Sequence, residues 1–104
     1  MSAWFIIRAE VVDATVTADF ESWYQNEHLA DALEAFNARR AWRGWSDIDP
    51  NVHYAMYEFD DLDAARAIPG SDALKRLAAE FDRRWGNKVR RTRDYVDAIQ
   101  SIGG

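Results

Sequence analysis

Phe20-Glu21-Ser22-Trp23-Tyr24-Gln25-Asn26-Glu27-His28-Leu29 decides how the rest of the chain is read. Neither Gly nor Pro interrupts it. Thr17 reads as the N-cap ahead of it, with Asp19 and Glu21 in the first turn, where the helix dipole favours negative charge. A helix is therefore predicted to run to about Phe36. Its apolar residues do not form one stripe: Phe20, Trp23 and Tyr24 mark an early face, and Leu29, Leu33 and Phe36 a later, rotated one. On a helix of 3.6 residues per turn, Trp23 stands one turn below Glu27, and Tyr24 one turn below His28. The segment thus gathers two large rings, a carboxylate and an imidazole able to titrate near neutral pH, the outline of a small-molecule site.

Upstream, Ala3 to Val11 is rich in β-branched and aromatic residues and short enough for a strand. Phe5, Ile7, Ala9 and Val11 share one face, which reads as core; Trp4, Ile6, Arg8 and Glu10 share the other. Downstream, Arg40 to Ile48 reads as a second strand, with Trp42 and Trp45 on opposite faces, and Asp47-Ile48-Asp49-Pro50-Asn51 as a turn. Val52 to Phe59 is a third strand. Both of its faces are largely apolar, as expected of a central strand covered on both sides. Asp60-Asp61 caps a short helix ending at Ile68 before Pro69-Gly70. Ser71 caps the next helix, on which Leu74, Leu77, Ala78, Phe81 and Trp85 fall at helical spacing. Gly86-Asn87 stops it, and Val89 to about Ile99 is the last strand. The order is β-α-β-β-α-β, an α+β ferredoxin-like arrangement with helices over one face of a four-stranded antiparallel sheet.

The chain has 104 residues, and residues 1–104 are expected to form a single domain. Five tryptophans in so short a chain need a core, a pocket or a partner to cover them. There is no cysteine, which removes disulfides, thiolate metal sites and cysteine nucleophiles together. Met1 to Arg8 has no basic leader and only a short apolar run, so no secretory signal is expected, and a cytoplasmic location is. Net charge is −5 and uneven: up to Ala38 the chain sets Arg8 against seven acids, and the remainder sums to +1. An acidic protein is repelled by nucleic acid and by anionic lipid, so neither is an expected partner. The basic, aromatic run Arg39-Arg40-Ala41-Trp42-Arg43-Gly44-Trp45 is the one feature pointing the other way. It lacks the Gly-aromatic-Gly-aromatic core of an RNA-binding sheet.

With the elements in this order, the chain resembles the dimeric α+β barrel superfamily, and within it EthD-like and related uncharacterised small proteins. The pattern Phe20-x-x-Trp23-Tyr24-x-x-Glu27-His28-Leu29 carries the resemblance, supported by Tyr54-Ala55-Met56-Tyr57-Glu58-Phe59. Related sequences commonly place a Pro after the His-Leu pair; here Ala30 and Asp31 continue the helix. The resemblance implies a homodimer in which two sheets join into a barrel, with a small-molecule site between sheet and helices that the motif histidine faces. It also implies a choice of functions. One is cofactor-independent oxygenase or isomerase chemistry on an aromatic or polyketide-like compound; the other is a non-catalytic ligand-binding or accessory role on the same fold.

His28 is the candidate catalytic residue, as a general base or an orienter of a substrate oxygen. The plainer reading is a histidine that hydrogen-bonds a neighbour at the edge of the core. Trp23, Tyr24 and Tyr57 are the candidate substrate-binding residues, and core or interface packing is their plainer reading. Glu27 points about 100° away from His28 on a helix and reads as a surface residue. His53, beside a turn, reads as a solvated strand end. No HxxxH or HxH spacing occurs, so no metal is expected. His28 could serve as the axial ligand of a haem, but nothing selects that over simple packing, and no cofactor is expected. No nucleophilic triad order, P-loop or GxGxxG is present.

Overall fold

The computed structural model describes residues 2–103. Four strands, β1 (Ala3–Val11), β2 (Arg40–Trp45), β3 (Val52–Phe59) and β4 (Val89–Asp97), form one antiparallel sheet in the order β2-β3-β1-β4. The helical segments are α1 (Thr17–Trp23), α2 (Leu29–Phe36), α3 (Leu62–Arg66) and α4 (Asp72–Trp85). This is the ferredoxin-like α+β order read from the sequence, and the third strand matches its expected limits. The second and fourth strands stop short of theirs.

Register assigns the two faces. Phe5 lies opposite Tyr57 on β3 and Tyr95 on β4; Ile7 lies opposite Ala55 and Arg93; Ala9 lies opposite His53 and Arg91. Trp45 pairs with His53 on the other side of β3. These residues face the helices, and the alternate positions of β1 are buried along its whole length. The opposite face carries Trp4, Ile6, Trp42 and Met56, and among the described residues no helix packs across it. Trp42 is 46% exposed. Its ring lies 5.0 Å from that of Trp4, and the Arg40 guanidinium stands 4.9 Å above it. Arg40 is in turn held by Glu58 at 2.8 Å.

Local chemistry explains the helix limits. The Asp61 side chain accepts a hydrogen bond from the Ala64 N–H (2.8 Å), and Ser71 Oγ accepts one from the Leu74 N–H (3.1 Å), each satisfying a donor with no partner inside its helix. Leu74, Leu77, Phe81 and Trp85 then form the buried stripe of α4, and Gly86 ends the helix at φ 51°, where a Cβ would be strained. Thr17 is not an N-cap, however. A 3₁₀ turn, Ala14–Val16, precedes it, and Asp13 caps that turn by accepting from the Thr15 N–H (3.0 Å). At the far end Asn37 adopts φ 52°. Its N–H bonds Glu34 O and the Ala38 N–H bonds Leu33 O, the paired closure of a left-handed cap.

Phe20 is the hub of the core below β2 and β3. Its ring centroid lies 5.2 Å from that of Tyr24, 5.3 Å from Trp85, 5.4 Å from His53 and 6.0 Å from Trp45. Most of these pairs meet edge to face, the geometry the ring quadrupole prefers.

Candidate functional site

Between α1 and α2 the chain makes one π turn, Tyr24–His28, closed by a hydrogen bond from the Leu29 N–H to Tyr24 O. The i→i+5 spacing inserts one residue relative to an α-helix, a feature often found at functional sites. It changes which side chains meet. An unbroken helix sets Trp23 beneath Glu27. Here His28 stacks on Trp23 instead, with centroids 4.1 Å apart and planes 15° from parallel. Glu27 stays outside, 3.9 Å from Arg84. Tyr24 meets His28 edge to face at 4.9 Å, as the i,i+4 spacing led one to expect.

His28 is only 5% exposed. Burial, and then the positive charge of Arg91, push its pKa down to about 4. At neutral pH the imidazole is therefore uncharged. His28 and Tyr24 line a cleft between the sheet and α4, together with Ile7, Phe36, Leu77, Phe81, Arg91 and Arg93. The free volume inside is about 20 Å³, room for roughly one water molecule.

The four residues singled out in the sequence are all buried, but they do not all reach the cleft. Tyr24 and His28 line it. Trp23 backs His28, and the Arg84 guanidinium lies 5.7 Å from the Trp23 ring centre. Tyr57 lies deeper, against Phe36 at 5.2 Å and Phe5 at 6.2 Å. Burial raises the pKa of both tyrosines, and that of Tyr57 is raised further by Tyr24. The Tyr57 hydroxyl has no hydrogen bond of regular geometry.

His53 corrects the expectation of a solvated strand end: it is fully buried. Its alternation on β3 places it on the helix-facing side, where Tyr24 (4.4 Å), Trp45 (5.0 Å) and Phe20 enclose it. Arg43 Nη1 approaches His53 Nε2 at 3.3 Å. Arginine only donates, so Nε2 accepts and the proton of the neutral ring belongs on Nδ1. That Nδ1–H has no partner among the described residues. Burial, then Arg43, lower the His53 pKa to about 4.

Arg43 is gripped from above by α1. It makes a two-pronged pair with Glu21, one prong being Nη1 to Oε1 at 2.9 Å, and it donates to Gln25 Oε1 at 2.9 Å. Trp45 Nε1 also donates to Glu21 (2.8 Å). Arg43 and then Trp45 hold the Glu21 pKa at about 2. Two neutral imidazoles thus flank the Tyr24 ring, one facing the cleft and one sealed behind an Arg–Glu pair. Among the described residues no three His, Asp or Glu side chains come together to hold a metal ion. No helix among them is long and apolar enough to cross a membrane.

Sequence reasoning passed over Arg91, Arg93 and the Glu21–Arg43–His53 network. The signal was present as pleat alternation: Arg91 and Arg93 share a face with Val89 and Tyr95, and His53 shares one with Ala55 and Tyr57.

Solved structures of the same fold are known. Over 99% of this chain and 98% of theirs, it is similar to SnoaB, a cofactor-independent oxygenase from Streptomyces nogalater (18% identity, TM-score 0.67). It is similar to HapK from Hahella chejuensis over 100% and 96% of the two chains (18% identity, TM-score 0.68). An EthD family protein from Bacillus halodurans matches over 90% and 97% (14% identity, TM-score 0.66). These structures share the ferredoxin-like α+β fold of this chain. No protein-family model matches the sequence, and no curated protein does.

Proposed function

We propose that this chain binds a small aromatic or polyketide-like molecule in the cleft beside His28, as a homodimer, and acts on it without a cofactor as an oxygenase or isomerase. The observation that carries the reading is a neutral, buried imidazole lining an apolar cleft that also contains a guanidinium. The imidazole takes the proton of an acidic phenol or activated C–H group, and Arg91 faces the anion left behind. Such an anion either gives up electrons to dioxygen or takes its proton back at another carbon. The likeness to SnoaB supports the first outcome.

One observation favours the second reading, a non-catalytic binding protein: the cleft has room for only about one water. A substrate must part α4 from the sheet to enter. A panel of two- and three-ring phenols separates the two readings. Under the catalytic reading, some members raise the melting temperature and drive oxygen uptake or isomerisation, and His28→Phe abolishes turnover while keeping the thermal shift. Stabilisation without turnover leaves the binding protein. No thermal shift and no NMR perturbation of His28 from any member removes the cleft reading.

A further inference from the structure

β4 places two arginines at consecutive inward positions. Arg91 lies opposite Ala9 and Arg93 opposite Ile7, on the face that packs against the helices. Both line the cleft, and no Asp or Glu among the described residues does. In a chain of net charge −5, this is a cationic spot inside an acidic protein. The usual account of an inward arginine is a stem lying on apolar surface with its head in water. Arg91 departs from it. Its side chain is only 17% exposed, and its guanidinium lies 4.3 Å from the Phe81 ring, inside the cleft wall. Its one acidic contact is Asp82 at 3.2 Å, a side chain itself 70% exposed. No Arg91 N–H makes a hydrogen bond of regular geometry to a described residue, although the group carries five donors. Arg93 has no acidic partner among the described residues. Arg93 is exposed and Arg91 half-buried, so the two guanidinium groups stand at the mouth of the cleft, where a ligand is expected.

We propose that the cleft takes an aromatic carboxylate, with its ring between Phe36 and Phe81 and its carboxylate on Arg91 and Arg93. This rests on the reading that the cleft beside His28 is the binding site, and it names the chemical class of the ligand. Two inward positions on a strand are about 7 Å apart, so guanidinium groups reaching inward from both converge on one carboxylate. The planar fork of arginine matches that group better than an ammonium does. Binding pairs two guanidinium groups that have no hydrogen-bonded carboxylate of regular geometry among the described residues, and neutralises the Arg91 charge that acts on His28.

Calorimetry with 2-naphthoate and its uncharged counterpart 2-naphthamide tests this on the wild-type protein, Arg91→Gln, Arg93→Gln and Ala78→Trp. Naphthoate is expected to bind about tenfold tighter than the amide, the scale of one charge-assisted hydrogen bond. Either arginine substitution should erase most of that preference. Amide binding should fall far less than naphthoate binding in both, and an unchanged far-ultraviolet circular dichroism spectrum shows that the variants remain folded. Ala78→Trp, which fills the cleft, should abolish binding of both probes. Equal affinity for the two probes overturns the inference and leaves the cleft as a binding site. A naphthoate preference that survives both arginine substitutions places the anion elsewhere and also overturns it. No binding of either probe removes the inference and the cleft reading together.

Discussion

His28 and His53 are held neutral by the same means, burial first and a nearby arginine second. Both pKa values sit near 4, against about 6.5 for a free histidine. The unfolded chain therefore binds more protons than the folded one between pH 6.5 and 4. The stability the two rings contribute is complete above that window and is lost as pH falls through it. Each contributes at most about 3 kcal/mol on this reckoning. Glu21 acts further down: its folded pKa of about 2 means that its contribution is present above pH 4.5 and is lost below it. The melting temperature should be level above pH 7 and fall steadily from pH 6.5 to 4, and His28→Phe should flatten part of that fall. A melting temperature unchanged between pH 7 and 5 would contradict the burial of both imidazoles.

At the scale of elements, the π turn is what makes the site. It rotates the chain after Tyr24 so that His28 meets Trp23 and Glu27 is left in solvent. Asn26 lies in this turn and is exposed, and its side chain donates to Ser22 Oγ (3.1 Å). Deleting it should convert the π turn to an α turn and swing His28 off Trp23. Loss of the stacked His28 ring shifts in NMR is expected, together with loss of ligand binding, while far-ultraviolet circular dichroism stays that of the wild type. Retained ring shifts would show that the turn does not position the imidazole. Nothing in the sequence announced this turn, because no Gly, Pro or special φ marks it; it arises from how Trp23, Tyr24 and His28 pack together. The caps at Asp61 and Ser71 and the stop at Gly86 were legible, since each depends on one side chain and its immediate neighbours. Thr17 misled because Asp13 offered an earlier cap.

For the whole molecule, the open face of the sheet bears on assembly. Trp4, Ile6, Trp42 and Met56 form an apolar surface that no helix among the described residues covers, and it supports the proposed homodimer. A stable dimer of this kind buries roughly 1,200–2,000 Å² in total. Light scattering should give a dimer at micromolar concentration, and Trp42→Glu should give a folded monomer, because it removes a large exposed ring from the apolar face and puts a charge in its place. A monomeric wild type removes the dimer reading. The two-layer architecture was legible from alternation on β1 and from the stripe of α4. The cleft was not. Its size is set jointly by ring packing from α2, α4 and β4, and no single segment encodes it.

The parallel stack of His28 on Trp23 has an optical consequence. A protonated imidazole in van der Waals contact with an excited indole is an electron acceptor, whereas the neutral ring is a poor one. Trp23 emission therefore reports the charge of His28 from inside the molecule, and acidification toward pH 4 dims it before unfolding reddens the remaining tryptophans. A bound anion that draws a proton onto His28 would darken the same indole at neutral pH. The chain thus carries its own probe of whether its histidine holds a proton.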